Sequence, residues 1–223
     1  METIILIPSF EPDNKLIELL KSIDECYHVI VIDDGSGKKY FDIYEESKKY
    51  AHVISYEKNM GKGYALKEGL KYIKDNYKDC IIVTMDSDGQ HKISDAKKLI
   101  NYIESNLDSL AIGRRTWDKT TPIRSRIGNY LTRKIYKKTT NISIYDTQSG
   151  LRAFSNKLLD YMLNTKGNRY EYEMNVLLNL NNIPVKEIGI ETIYFNKNKE
   201  SHFKWFNDSK KIYKVIKEYK SNQ

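Results

Sequence analysis

Two short runs carry side chains that could do chemistry. Val29–Gly37 (VIVIDDGSG) and Val83–His91 (VTMDSDGQH) each end an apolar stretch on a pair of aspartates and then break at glycine. Carboxylates packed this closely repel one another unless something cationic lies between or opposite them. Asp86 and Asp88 occupy alternate positions of an extended segment, so both can lean toward one side, with Gln90 and His91 following at once. Oxygen ligands at this spacing suit Mg²⁺ or Mn²⁺, which keep open positions for a substrate's phosphates. A metal there would bridge a nucleotide diphosphate and neutralise the leaving group as its bond breaks. The competing reading is that Asp and Gly merely turn the chain after a strand. That explains either cluster alone better than it explains both in one chain. Other nucleotide signatures are missing: no G-x-G-x-x-G follows the first strand and no G-x-x-x-x-G-K-[ST] occurs. The glycine-rich NMGKGYA (Asn59–Ala65) opens a helix, where an anion would be favoured.

The elements that must position these residues alternate along the chain. TIILIP, HVIVID, HVISYE, CIIVTMD and LAIG read as five strands. Between them lie amphipathic helices: one capped by Asp13 with Leu16, Leu19, Leu20 and Ile23 inward, one near Tyr40–Tyr50, one over Gly63–Asn76, and one over Ser94–Ser105. Strands that are apolar throughout, in β-α-β-α order, predict an α/β domain with a mostly parallel sheet covered by helices on both faces. Ligands in such sheets bind at the carboxyl ends of the strands, where Asp33, Asp34, Asp86 and Asp88 fall. Past Gly113 the pattern changes. A basic helix is expected over Ser125–Lys138, then a loop through DTQSGLRAF, helices near Asn156–Asn164 and Glu171–Asn181, a strand or two in PVKEIGIETIYF, and a helix over Trp205–Tyr219. The division read from this is one domain over 1–223: residues 1–113 as the nucleotide-binding half and 114–223 as the acceptor half, ending in a basic amphipathic helix.

Charge narrows the partners. The chain of 223 residues carries +7, and Arg114–Lys138 alone holds nine Lys/Arg against one acid, Asp118. A second basic block, Lys197–Lys220, is interleaved with Phe203, Trp205, Phe206, Tyr213 and Tyr219. Such patches suit a phosphorylated ligand, an anionic membrane surface or nucleic acid. Nothing resembles a helix-turn-helix, zinc finger or RNA-recognition motif, which disfavours the nucleic-acid reading. Cys26 and Cys80 are too few for a disulfide framework. With neither a signal-peptide pattern nor a run of roughly 20 apolar residues, the expected location is the cytoplasm.

The order of the motifs IPSFEPD, VIDDGSG, NMGKGYALKEGL, MDSDGQH, RSRIGNYLTR, DTQSGLRAF, YEYEMN and ESHF resembles that of the inverting family 2 glycosyltransferases. The likeness is greatest to the branch of dolichyl-phosphate mannosyltransferase and bacterial polyprenyl-phosphate glycosyltransferases, and it runs from Ile4 to about Ile216. The resemblance implies a GT-A (Rossmann-like) fold and a hexosyltransferase that moves sugar from UDP- or GDP-sugar to a polyprenyl phosphate. It implies that Pro8, Ser9, Asp33, Asp34, Lys62 and Asp86 meet the nucleotide sugar and that Asp86, Asp88 and Gln90 hold the cation. It places Arg115, Arg124, Arg126, Gln148, Ser149, Arg152 and His202 by the acceptor phosphate, and Glu171 and Glu173 close behind. Arginine forks would grip a phosphate bidentately. Asp88, Arg126 and Asp146 are the expected catalytic residues, Asp146 serving as base should the acceptor instead be a sugar hydroxyl of a wall, capsule or lipopolysaccharide glycan. Many relatives carry an acid where this chain has Pro12, so a nucleotide contact there is lost or falls to Glu11. Several have C-terminal membrane helices that this chain lacks. Attachment to the inner membrane face would then rest on the basic-aromatic C-terminus or a small flippase-like membrane partner.

Overall fold

The apolar β-branched runs at the centre of the sheet form strands here because they are buried on both faces. A computed structural model describes the chain over residues 1–116, 123–191 and 205–221, with backbone alone for 123–127 and 205–209. Strands β1 (Glu2–Ser9), β2 (His28–Asp33), β3 (His52–Ser55), β4 (Cys80–Thr84), β5 (Leu110–Arg115), β6 (Arg152–Ser155) and β7 (Val185–Ile190) join in one sheet of order β3-β2-β1-β4-β6-β5-β7. All neighbours are parallel except β6, which runs antiparallel to both β4 and β5.

The strands' period of two sorts their side chains into two cores. Ile4, Leu6, Ile30, Ile32 and Ile82 face one way, toward α3 (Lys62–Asn76), α6 (Leu159–Asn164), α7 (Glu171–Leu178) and α8 (Trp205–Ser221). Ile5, Ile7, Val29, Val31 and Val83 face the other, toward α1 (Lys15–Ser22), α2 (Phe41–Ser47) and α4 (Ile93–Glu104). The basic helix α5 (Ile123–Thr140) lies on the first side, where the Tyr136 hydroxyl donates to the Leu177 carbonyl at 2.9 Å. Helices on both faces of a mostly parallel sheet are the architecture that the alternating pattern implied. Asp13 satisfies the start of α1 by accepting the Lys15 N–H at 2.9 Å.

One element departs from the expectation. No strand is expected at DTQSGLRAF, yet its last three residues begin β6, and this strand from the second half of the sequence sits between β4 and β5 of the first. Its four residues carry an arginine and a serine, too short and too polar for the alternation to register. Tertiary pairing overrides local preference there. The two halves of the sequence therefore share one sheet.

Close packing of α3 on the sheet depends on Gly69. A Cβ at this position would lie 2.2 Å from Leu6 Cδ1 and 3.2 Å from Ile32 Cγ1, both in fully buried side chains. Helix propensity alone makes Gly69→Ala stabilising by about 1 kcal/mol. The clash outweighs that gain, because overpacking a filled core costs about 1–3 kcal/mol. With a contact as short as 2.2 Å the net loss is expected to be about 1–2 kcal/mol, which lowers Tm by about 2–8 °C in a thermal melt. An unchanged or raised Tm would show that α3 is not pressed onto β1.

Candidate functional site

The carboxyl edge of the sheet gathers most of the residues singled out above. β1 and β2 end side by side, with Ser9 opposite Asp33, and the Asp34 N–H donates to the Ser9 carbonyl at 2.8 Å. On the other side of β1 the chain leaves β4 through Met85, whose N–H donates to the Leu6 carbonyl at 3.0 Å, and reaches Asp86. β2 and β4 flank β1 on its two sides, so the strand order reverses here, the kind of switch point at which open parallel sheets bind ligands. Because β6 is antiparallel, the residues before it, Asp146–Leu151, arrive at this same edge. Thr84 Oγ1 donates to the Gly150 carbonyl at 2.9 Å, locking the two segments together.

Asp86 is the centre of the edge. Its Oδ1 lies 2.6 Å from Lys62 Nζ and its Oδ2 3.6 Å from His91 Nε2, while Lys62 Nζ also stands 3.1 Å from Glu173 Oε1. Gly150 must be glycine for this: a Cβ there would fall 2.4 Å from Asp86 Oδ2. Burial alone would lower the Lys62 pKa, but the Asp86 and Glu173 carboxylates beside it push it above the usual lysine range. Burial alone would likewise raise Asp86, and the Lys62 charge holds it well below the carboxylate range instead. Asp88 goes the opposite way. Although exposed, it loses solvent to the protein around it and feels the Asp86 charge, so its pKa is raised. The Gln90 N–H donates to Asp88 Oδ1 at 3.0 Å. His91 is buried, and its Nδ1 has no hydrogen-bond partner among the described residues.

This donor set fits a divalent cation. Asp86 and Asp88 offer carboxylate oxygens from alternate positions, although Ser87 and Asp88 lie in a turn and not in the extended segment expected from the sequence. Among the described residues no three His, Cys, Asp or Glu side chains already converge as a cage.

A second cluster sits at the end of β5. The Asp146 carboxylate, 0 % exposed, accepts from Arg115 Nε at 2.7 Å, Arg115 Nη2 at 2.9 Å and Asn129 Nδ2 at 2.8 Å, with backbone N–H groups of Arg115 and Gln148 at 3.2 Å. Burial would raise its pKa, but the Arg115 guanidinium and these donors hold it low. The Glu187 carboxylate fixes the backbone here by accepting the Tyr145 and Asp146 N–H groups at 2.9 and 2.8 Å. Arg152, 4 % exposed, donates from Nε to the Ser149 carbonyl and from Nη1 to the Glu173 carbonyl, both at 3.1 Å. It lines a cavity of about 20 Å³ with Thr84, Tyr172 and Glu173, roughly the room one water needs.

The sequence-predicted residues thus divide. Lys62 and Asp86 meet directly, Asp88 and Gln90 lie beside them, and Arg115, Asp146 and Gln148 form the second cluster; Ser149 and Arg152 connect the two. Ser9 accepts from the Tyr44 hydroxyl at 3.1 Å and Asp33 accepts the Ser36 N–H at 2.9 Å, while Pro8 is buried beside Ile32 in β1. Asp34 holds a neighbouring loop. It accepts from Tyr56 Oη at 2.7 Å, Asn59 Nδ2 at 3.0 Å and the N–H groups of Met60 and Gly61 at 2.8 Å each. Its carboxylate therefore ties β2 to the loop that delivers Lys62. The side chains of Arg124 and Arg126, at the start of α5, and all of His202 lie outside the described residues. Of the two glutamates in EYE, Glu173 reaches Lys62, whereas Glu171 faces the Asn168 and Arg169 N–H groups at 3.4 and 3.3 Å. Asn129 and Glu187 were not anticipated; each lies far in sequence from the residue it serves, and no local pattern marks them.

Comparison with known proteins follows this geometry. The family model "Glycosyl transferase family 2" matches residues 4–163. An uncharacterized protein of Methanocaldococcus jannaschii is 34 % identical over 202 residues, 86 % of this chain and 82 % of that protein. The UDP-N-acetylglucosamine–dolichyl-phosphate N-acetylglucosaminyltransferase of Methanococcus voltae is 30 % identical over 216 residues, 85 % of each chain. Among solved structures, S. aureus TarS 1–349 in complex with UDP-GlcNAc superposes with a TM-score of 0.59 at 15 % identity, covering 98 % of this chain and 66 % of that one. The fold is GT-A, as the motif order implied.

Asp34→Ala strands two backbone N–H groups and a tyrosine hydroxyl in a partly buried loop. It is expected to destabilise the ligand-free protein by about 2–4 kcal/mol, seen as a lower urea midpoint. Were Asp34 a nucleotide contact alone, the ligand-free midpoint would be unchanged or raised.

Proposed function

The chain is a family 2 glycosyltransferase, and from that premise we propose that it transfers a hexose, with inversion and with help from Mg²⁺ or Mn²⁺, from a nucleotide sugar to a polyprenyl phosphate at the cytoplasmic face of the membrane. The donor is a UDP- or GDP-sugar; the M. voltae relative's donor and the TarS ligand are both UDP-linked by name. In this reading Asp86 and Asp88 hold the cation, with Gln90 beside them, and Lys62 stands by for the donor diphosphate. The ion, when bound, supplies charge neutralisation of the departing diphosphate.

The observation that carries the acceptor assignment is the state of Asp146. A sugar hydroxyl would need a base to remove its proton. Asp146 is fully enclosed by five donors and held acidic by Arg115, so it has little appetite for one. A lipid phosphate arrives already ionised and needs no base, which leaves the protein to position and stabilise charge. Asp146 then acts as a positioning residue that fixes Arg115 and the turn into Gln148 and Ser149. Arg124, Arg126 and His202 remain candidates for the acceptor phosphate, and Arg152 supports Ser149 and Glu173 from beneath. Among the described residues no helix is long and apolar enough to cross a membrane, so the lipid would be met at the bilayer surface.

The test is transfer of label from UDP- and GDP-sugars into organic-extractable lipid, with a short polyprenyl phosphate as acceptor. Wild-type protein is expected to label the lipid only with Mg²⁺ or Mn²⁺ present. Asp88→Ala is expected to cut kcat/KM by about 100-fold or more while leaving the circular dichroism spectrum intact. Undiminished turnover in that variant, or label passing to saccharide and never to lipid, would overturn the proposal.

A further inference from the structure

Eight large hydrophobic side chains are exposed among the described residues, and four of them fall between positions 130 and 145: Tyr130 (58 %), Leu131 (47 %), Ile142 and Tyr145. Scattered singly they would need no explanation. Here they share a surface. At about 100° per residue, Tyr130, Lys134 and Lys137 lie in line along α5, with Leu131 and Lys138 on the adjoining line, and all five are exposed. Asn129, Thr132 and Tyr136, on the opposite side, are buried. The exposed stripe is about 120° wide, and the turn after α5 extends it through Ile142 and Tyr145.

Its charge has one sign. Residues 128–145 contain Arg133, Lys134, Lys137 and Lys138 and no acid. The cations stand over the aromatic rings: Arg133 lies 4.4 Å and Arg114 5.5 Å from the Tyr145 ring centre, and Lys134 lies 5.2 Å from that of Tyr130. A protein-binding patch would be depleted of charge at its centre, and a nucleic-acid groove would have no use for Leu131 and Ile142. Apolar and aromatic tips interleaved with cations fit an anionic bilayer, where rings and aliphatic chains enter the headgroup layer and the cations meet lipid phosphates. The patch also abuts the site, since Tyr145 and Asp146 share the Glu187 clamp and Arg114 precedes Arg115 in β5.

We propose that the exposed face of α5 and the turn following it, Tyr130–Tyr145, is the surface by which the protein docks on an anionic bilayer, with the Asp146–Arg115 edge of the site turned toward lipid phosphates. This rests on the lipid-acceptor reading above and gives it a surface other than the C-terminal helix, whose Trp205 and Phe206 side chains lie outside the described residues.

The experiment is flotation of the full chain with phosphatidylcholine vesicles carrying about 30 mol % phosphatidylglycerol, against pure phosphatidylcholine. Wild-type protein should float with the anionic vesicles and be released by high salt. The pair Lys134→Glu and Lys138→Glu should lower the partition coefficient at least about 10-fold, and Tyr130→Ser with Leu131→Ser should lower it several-fold. Both pairs should keep wild-type Tm and wild-type turnover on a detergent-dispersed short-chain acceptor. Wild-type protein that does not float, or variants that float as well as it does, would overturn the proposal. So would variants that alter only the oligomeric state in sedimentation, which would make the face a contact between copies. If the wild type floats through this face yet labels no lipid, docking stands and the acceptor reading falls.

Discussion

A carboxylate at the end of a buried strand needs a counter-charge, and most of this site is arranged around giving Asp86 one. Lys62 is the counter-charge, and to deliver it the chain must bring the start of α3 across to the end of β4. The Asp34 carboxylate makes that possible by gathering the loop Tyr56–Gly61 onto the end of β2. Glu173 at the start of α7 shares the same ammonium, so a second helix is drawn to the edge. Gly150 approaches Asp86 more closely than any side chain would permit. Buried ion pairs of this kind contribute little net stability, because desolvation offsets the attraction. What the charges hold in place is the edge itself, with Asp86 fixed between Lys62 and His91 and Asp88 two residues on.

The antiparallel strand β6 is the second constraint. A parallel strand in that position would have sent Gly150 and Asp146 to the opposite edge. Inserted backwards, β6 places them beside Asp86 and at the tip of β5, so the Asp86–Lys62 cluster and the Asp146–Arg115 cluster share one edge of the sheet. Asp146 then spends its whole hydrogen-bonding capacity on Arg115, Asn129 and its own turn. An acid so completely occupied organises its surroundings better than it moves protons.

Much of this was legible in the residues and some could not have been. The first five strands and their helices showed themselves because each apolar run is long and each helix keeps its period. The aspartates at strand ends announced the crevice because like charges rarely cluster without a purpose. β6 escaped because four residues that include Arg152 carry no alternation; only its neighbours make it a strand. Asp33 and Asp34 look equivalent on paper, yet one accepts a single backbone N–H and the other four donors from a loop more than twenty residues away. Glu171 and Glu173 are two positions apart and serve different ends, one near the N–H groups that open α7 and one paired with Lys62. Which of two neighbouring acids meets a partner is decided by the packing of distant elements, and no local pattern encodes it.

The central claim is that Asp86 and Asp88 form a cation site completed by a nucleotide's diphosphate. Manganese binding followed by electron paramagnetic resonance tests it without any turnover, in titrations with and without UDP or GDP. Weak binding of Mn²⁺ alone that tightens by about 10-fold or more with one of the nucleotides, and is lost in Asp86→Asn, is the predicted result. Mn²⁺ affinity indifferent to both nucleotides, or unchanged in Asp86→Asn, would contradict it.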